Sequence, residues 1–140
     1  DRLVTLSSGA YTRAFTLGHE GTDLVARLRT SVTDENGRDL EQFVPAFTRT
    51  DPRHFVFSYE GATGAASVYV DGQLRDVVVH LTDAEQPAVL EWDTGRERFG
   101  LGDEFDADRR WYGTLHRVAI WDRALDTDTI LARFLAGPAD

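Results

Sequence analysis

The sequence predicts an all-β protein, a sandwich or barrel of short antiparallel strands, closed by one short helix at the C-terminus. Strand-like segments recur between turn signals along most of the chain, the pattern of layered β proteins. The stretch SVYVDGQLRDVVV carries Asp71-Gly72, a preferred pair for a two-residue type I′ hairpin whose two central residues need positive φ. A helix-like pattern with both ends marked occurs once, after Asp126.

Taken in order, the predicted strands are Leu3–Leu6, Ala14–Leu17, Asp23–Leu28, His54–Tyr59, Ser67–Val70, Leu74–His80, Arg98–Leu101 and Thr114–Trp121. Gly18 and Gly21 bracket His19-Glu20 as a second hairpin tip. Thr33–Leu40, Thr82–Pro87 and Asp103–Arg110 are polar enough to be loops. Asp126 is placed to cap the helix, with Leu125 before the cap stapling onto Ile130. Ile130, Leu131, Phe134 and Leu135 make one apolar stripe, and Gly137-Pro138 ends the helix. Repeats, linkers and low-complexity tracts are absent.

Composition narrows the function by exclusion. The 140 residues form one domain, 1–140, and 41% apolar with 11% aromatic content excludes a disordered tail. No apolar run approaches the roughly 18 residues of a membrane span. A formal charge of −9 repels nucleic acid and anionic membranes, so neither is an expected partner. All 15 basic residues are Arg. Without Cys there is no disulfide framework, thiolate metal site or thiol nucleophile, and the compartment stays undecided. The chain starts at Asp1 with neither Met nor a signal peptide, as an excised or processed segment would.

Catalytic signatures are missing. His19, His54, His80 and His116 form no HxH or HExxH pattern, and neither GxSxG nor a P-loop occurs. Asn36 precedes Gly37-Arg38, so there is no glycosylation sequon. What remains is aromatic and acidic. Sugar sites stack rings on Trp or Tyr faces while a few polar groups orient the hydroxyls. Trp92, Trp111 and Tyr112 fall beside loops, with Asp93, Asp103 and Arg110 near them in sequence. Two readings stay open: they line one ligand rim, or they plug the ends of the sandwich. In the acidic stretch GDEFDAD, Asp103, Asp106 and Asp108 are candidate calcium ligands, since hard cations take carboxylate oxygens; a solvated acidic loop is the alternative. Trp121-Asp122-Arg123 either binds something or holds the turn into the helix.

HFVFSYEG (His54–Gly61), SVYVDGQL (Ser67–Leu74), RFGLGDE (Arg98–Glu104) and RRWYGTLHRVAIWDRAL (Arg109–Leu125), with the helix after them, occur in one order. Together they resemble bacterial laminin G-like domains of the concanavalin A-like lectin/glucanase superfamily, in which an HxVxxY strand, a YVDG hairpin, an LxLG strand and a GxIDEVRIYDRAL strand follow one another. The N-terminal LVTLSSG, RAFTLGHEG and LVARLRT match a bacterial subgroup found in large surface or secreted proteins. The resemblance implies a two-sheet antiparallel jelly roll, an extracellular or cell-surface setting, and a structural role for Trp111, for His54 as a hydrogen-bonded strand residue and for the Trp121-Asp122-Arg123 join. Some relatives hold calcium at a loop rim, so calcium is possible although no cofactor is required. Such domains usually begin a strand or two earlier, with an FTVEAWV-like segment that has no counterpart here. An edge left open by that gap would invite oligomerisation or a strand from another chain.

The superfamily also contains glucanases whose carboxylates alternate as ExDxxE. Glu104, Asp106 and Asp108 alternate too, but the last sits one place early and no tryptophan or apolar strand frames them. The reading is therefore non-catalytic: a binding module for carbohydrate, or alternatively a protein-binding, adhesion or spacer module, with a glycoside hydrolase third.

Overall fold

A computed structural model of the protein describes residues 1–93, 95–104 and 108–138. Eight strands and one helix are seen: β1 (Arg2–Gly9), β2 (Thr12–Glu20), β3 (Asp23–Leu28), β4 (Gln42–Pro45), β5 (Phe55–Glu60), β6 (Ala65–Val70), β7 (Gln73–Val79), β8 (Arg98–Leu101) and α1 (Thr127–Ala136). They form a five-stranded sheet of order β4-β3-β2-β1-β8 and a three-stranded sheet of order β5-β6-β7, every pair antiparallel. The core lies between the sheets. Leu24, Ala26 and Val44 from the first meet Val68 and Val70 from the second, with Leu17, Phe47, Phe55 and Phe57 packed around them. This is the predicted all-β sandwich with its C-terminal helix.

The turns follow from backbone sterics. Asp71 (φ 52°) and Gly72 (φ 78°) both adopt positive φ, as a type I′ hairpin demands. A side chain at Gly72 would also strike Leu131 and Phe134 of α1. The tip between β2 and β3 is Gly21-Thr22 rather than His19-Glu20: Gly21 takes the positive φ (61°), and His19 stays in the ladder opposite Leu24. Helix α1 is capped as predicted, Asp126 accepting from the Thr129 N–H at 2.7 Å. Its stripe is only partly covered, however. Ile130 is fully buried and Phe134 half-buried, while Leu131 and Leu135 face solvent.

Two expectations fail. Thr114–Trp121 lies outside every ladder among the described residues. Strand β4 was missed because Gln42, polar in sequence, is buried: its Nε2 donates to Ala66 O (3.3 Å) and to Asp76 Oδ2 (2.9 Å).

Two histidines are structural. His80 is 1% exposed; its Nδ1 lies 3.0 Å from Thr30 Oγ1, and its Nε2 finds no partner among the described residues. His54 is hydrogen-bonded as expected, through its backbone: its N–H donates to Asp71 Oδ1 (3.0 Å) and its carbonyl accepts the Asp71 N–H (2.8 Å), while its ring Nδ1 is buried with no partner among the described residues. Burial lowers the pKa of both, opposed at His54 by the Asp71 charge. The unfolded chain therefore takes up protons near pH 6.5 before the folded one does, and stability falls as pH drops through and below that value. Each group can contribute a slope of at most about 1.4 kcal/mol per pH unit. Urea midpoints measured from pH 7.5 to 5 should decline, and His80→Gln should flatten the decline; an unchanged slope in the variant would remove His80 as its source.

Candidate functional site

The residues predicted to share a rim do not gather in one place, and the two tryptophans among them lie at opposite ends of β2. Trp92 and Asp93 lie at the end where β2 begins and β3 finishes, in an open cleft of about 430 Å³ lined by Thr12, Arg29, Glu35, Leu90, Glu91, Trp92 and Asp93. Trp111 lies at the other end, its ring 5.6 Å from that of His19 and 5.5 Å from that of Phe47. His19 is seven positions past Thr12 along β2, about 23 Å of extended chain. One ligand ring cannot touch both tryptophans.

Arg29 builds the cleft. It follows β3 directly and is buried, and its guanidinium has three acceptors on two loops. Nε donates to Glu91 O (2.6 Å), Nη1 to Glu35 O (3.4 Å) and Nη2 to the buried Glu97 carboxylate. The other Glu97 oxygen accepts the Asp93 N–H at 3.0 Å. Asp93 in turn accepts from the Gly95 N–H at 3.1 Å. Backbone closes the other side: Ser31 N–H donates to Val89 O (2.8 Å), and Thr30 bridges Leu90. The loop that carries Trp92 is thus clamped to the sheet, and Trp92 itself stays 41% exposed. Thr12, Arg29, Glu35, Glu91 and Asp93 are the polar residues that line the cleft with it.

The remaining predicted residues are placed differently. Tyr112 is 88% exposed. Arg110 is an exposed cation whose Nε lies 3.3 Å from Asp103 Oδ2. Asp103 Oδ1 accepts the backbone N–H of Glu104 (2.7 Å) and of Arg109 (3.3 Å), so this carboxylate fastens its own loop. Asp108 is exposed, 3.9 Å from Arg109 Nε, and Asp106 lies outside the described residues. Among the described residues no group of three or more His, Asp or Glu is gathered as a metal site would need. At the join, the Arg133 guanidinium lies 4.7 Å from the centre of the Trp121 ring, a cation–π contact that ties the approach segment to α1.

Glu104 is the centre of a second network, on the face of the five-stranded sheet turned away from the core. Its Oε1 accepts from Arg2 Nε (2.9 Å) and Arg13 Nε (2.5 Å), its Oε2 from Arg13 Nη2 (2.9 Å). Asn36 Oδ1 takes Arg13 Nη1 at 3.1 Å. Burial alone would raise the Glu104 pKa, but the hydrogen bonds and charges of Arg13 and Arg2 outweigh it and hold the group below the usual range. Glu104 is therefore ionised at neutral pH, the opposite of the raised pKa a glycosidase acid needs.

Residues 2–131 match the laminin G-like family model of the concanavalin A-like lectin/glucanases superfamily. The chain belongs to this family. A curated relative, human C-reactive protein, is 29% identical over 106 residues, 73% of this chain. The matched stretch spans 45% of that relative's length. No solved structure matches the chain significantly. In this laminin G-like domain, the cleft that holds Trp92 and Asp93 also takes Thr12, Arg29 and Glu35, which lie 57 to 80 positions before Trp92 and were not singled out from the sequence. VARLRT places an Arg just past a strand end, but nothing local marks it as a site residue. No helix among the described residues is long and apolar enough to cross a membrane.

Proposed function

We propose that this laminin G-like domain is a non-catalytic module of a secreted or cell-surface protein that recognises neutral carbohydrate at the Trp92 cleft. The observation that carries the reading is the half-exposed Trp92 ring beside Glu35, Glu91 and Asp93 on a clamped loop. A pyranose stacks its apolar face on the indole while the carboxylates accept hydroxyl protons. Three of the five Arg29 N–H groups are already given to protein acceptors, which holds the guanidinium toward the two loops. The net charge of −9 disfavours acidic glycans. No metal is required at this cleft, and a calcium role for the Asp103–Asp108 loop is a separate proposal.

A glycan array of the purified chain, run in calcium and in EDTA, tests both. Neutral glycans are the expected hits, equal in the two buffers, and Trp92→Ala should weaken them at least about tenfold, 1.4 kcal/mol, with the fold intact. Hits lost in EDTA would move the site to the acidic loop. Hits that survive Trp92→Ala would remove the cleft from the reading, and a blank array from folded protein would favour a protein-binding role.

A further inference from the structure

The Trp92 cleft has a neighbour. The loop that follows β3 and the loop that follows β7 are pinned to each other by backbone: Ser31 N–H donates to Val89 O (2.8 Å), Glu91 N–H to Arg29 O (3.4 Å), and Thr30 bridges Leu90. Leu28 and Thr30 are buried, and Thr30 Oγ1 lies 3.0 Å from the ring of the interior His80. Strand alternation therefore turns Arg29 and Ser31 the other way, outward, about 7 Å apart along the chain. Arg29 lines the Trp92 cleft, and Ser31 lines a second open cleft, of about 550 Å³. Both loops contribute to each. Arg29, Glu35 and Leu90–Asp93 lie on one side of the pin. Ser31, Val32, Leu40 and Leu81–Asp83 lie on the other, where Val79 of β7 joins them. Val89, on the pin itself, is 68% exposed.

The second cleft differs from the first in chemistry. No aromatic residue lines it; Val32, Leu40, Val79 and Leu81 make it aliphatic. Its polar residues are Ser31, Thr82 and Asp83. Ser31 Oγ accepts the Val89 N–H at 3.1 Å, and Thr82 Oγ1 accepts the Gln86 N–H at 3.2 Å. Each hydroxyl thus has an oxygen lone pair occupied and keeps its own proton to donate. An aliphatic wall, two O–H donors and one carboxylate acceptor are the complement of an acetamido group. The methyl suits the wall, the carbonyl takes the hydroxyl protons and the amide N–H meets the carboxylate. A plain hexose hydroxyl in the same place would press a polar oxygen against the wall, and a deoxy-sugar methyl would leave the donors unanswered.

We propose that the second cleft binds the acetamido group of an N-acetylated hexosamine, and that the ligand is a neutral oligosaccharide whose chain crosses Val89 to lay another ring on Trp92. The proposal rests on the carbohydrate reading of the Trp92 cleft and adds a second subsite and a sugar composition to it. An acetamido group carries no charge, so it suits a chain of net charge −9 as a neutral hexose does.

Titration of the purified chain with short neutral oligosaccharides tests it, in matched pairs of several linkages that differ only in having acetamido groups or hydroxyls. The acetamido member is expected to bind at least about tenfold more tightly in the linkages that fit. Leu81→Gln, at an exposed position, should reduce that preference to about twofold or less, with the urea midpoint near the wild-type value. Thr82→Val keeps the shape, removes one hydroxyl and should cut the preference at least about threefold. Trp92→Ala should weaken both members of a pair alike. Equal affinity within every pair, with binding lost in Trp92→Ala, overturns the proposal and leaves the carbohydrate reading in place. A preference that survives both Leu81→Gln and Thr82→Val overturns it too, because the acetamido group is then read elsewhere. A preference lost in those two variants while Trp92→Ala binds as wild type supports the second cleft and overturns the reading of the first. Folded protein that binds no member of the panel overturns both.

Discussion

Glu104→Ala is expected to lower stability by about 3–5 kcal/mol, read as a shift in the urea midpoint of the purified chain. The reason is what the substitution leaves behind. Arg2 and Arg13 are buried and share one carboxylate, which takes three of their N–H groups. Without it two cations face each other in a desolvated space, and Arg109, 3.9 Å from Glu104, adds a third. Glu104→Gln keeps the shape and one accepting oxygen but loses the charge, so its effect should be smaller, about 2–3 kcal/mol. The pH dependence separates this anion from the histidines. Its pKa is lowered in the folded state, so its stabilisation is complete above the unfolded value near 4.5 and is lost as pH falls through the folded one. An acid titration should show a first decline from about pH 6.5, belonging to His80 and His54, and a second below about 4.5. Glu104→Gln should shrink the second, leaving the share of the helix-capping Asp126, and spare the first. Equal midpoints for wild type and Glu104→Ala would mean that the network is exposed to water in solution.

Which parts of this protein could be read in its sequence follows from how local their causes are. Asp71-Gly72 could be read because positive φ at two successive positions is a property of those two residues. Asp23–Leu28 and Arg98–Leu101 were delimited to the residue, since each strand sits between loops that punctuate it. Thr114–Trp121 shows the same alternation and forms no ladder among the described residues, because a strand needs a partner as well as a pattern. Gln42 in β4 fails the other way: a polar residue enters the core when two acceptors, Ala66 O and Asp76, await it from the other sheet. The candidate site divides on the same line. Trp92 and Trp111 are 19 positions apart, and nothing local reveals that the intervening chain runs the length of β8 and places them at opposite ends of β2. Arg29 was invisible as a site residue because its role is defined by Glu35, Glu91 and Glu97, all supplied by loops distant in sequence or not yet folded onto it.

Arg29→Ala is therefore the substitution that should damage fold and cleft together. It strips the Glu97 carboxylate, buried beneath the loop, of the guanidinium cation that pairs with it, and it frees the carbonyls of Glu91 and Glu35. A buried ion pair broken on one side loses about 3–5 kcal/mol, since the surviving charge stays desolvated. The loop from Glu91 to Glu97 would then have to swing outward to hydrate Glu97, and Trp92 and Asp93 would move with it. Glycan binding should vanish along with the stability, which alone would not distinguish a lost site from a lost fold. The double variant Arg29→Met with Glu97→Gln removes both charges and keeps most of the volume. Replacing a whole buried pair by matched neutral groups is often close to neutral, so stability should return to within about 1–2 kcal/mol of wild type. Binding should stay weak, because Met offers no donor to hold the Glu91 and Glu35 carbonyls and the loop loses its clamp. If the double variant recovers both stability and binding, Arg29 serves only to neutralise Glu97, and the Trp92 loop holds its shape through the Ser31–Val89 and Thr30–Leu90 backbone pairing alone.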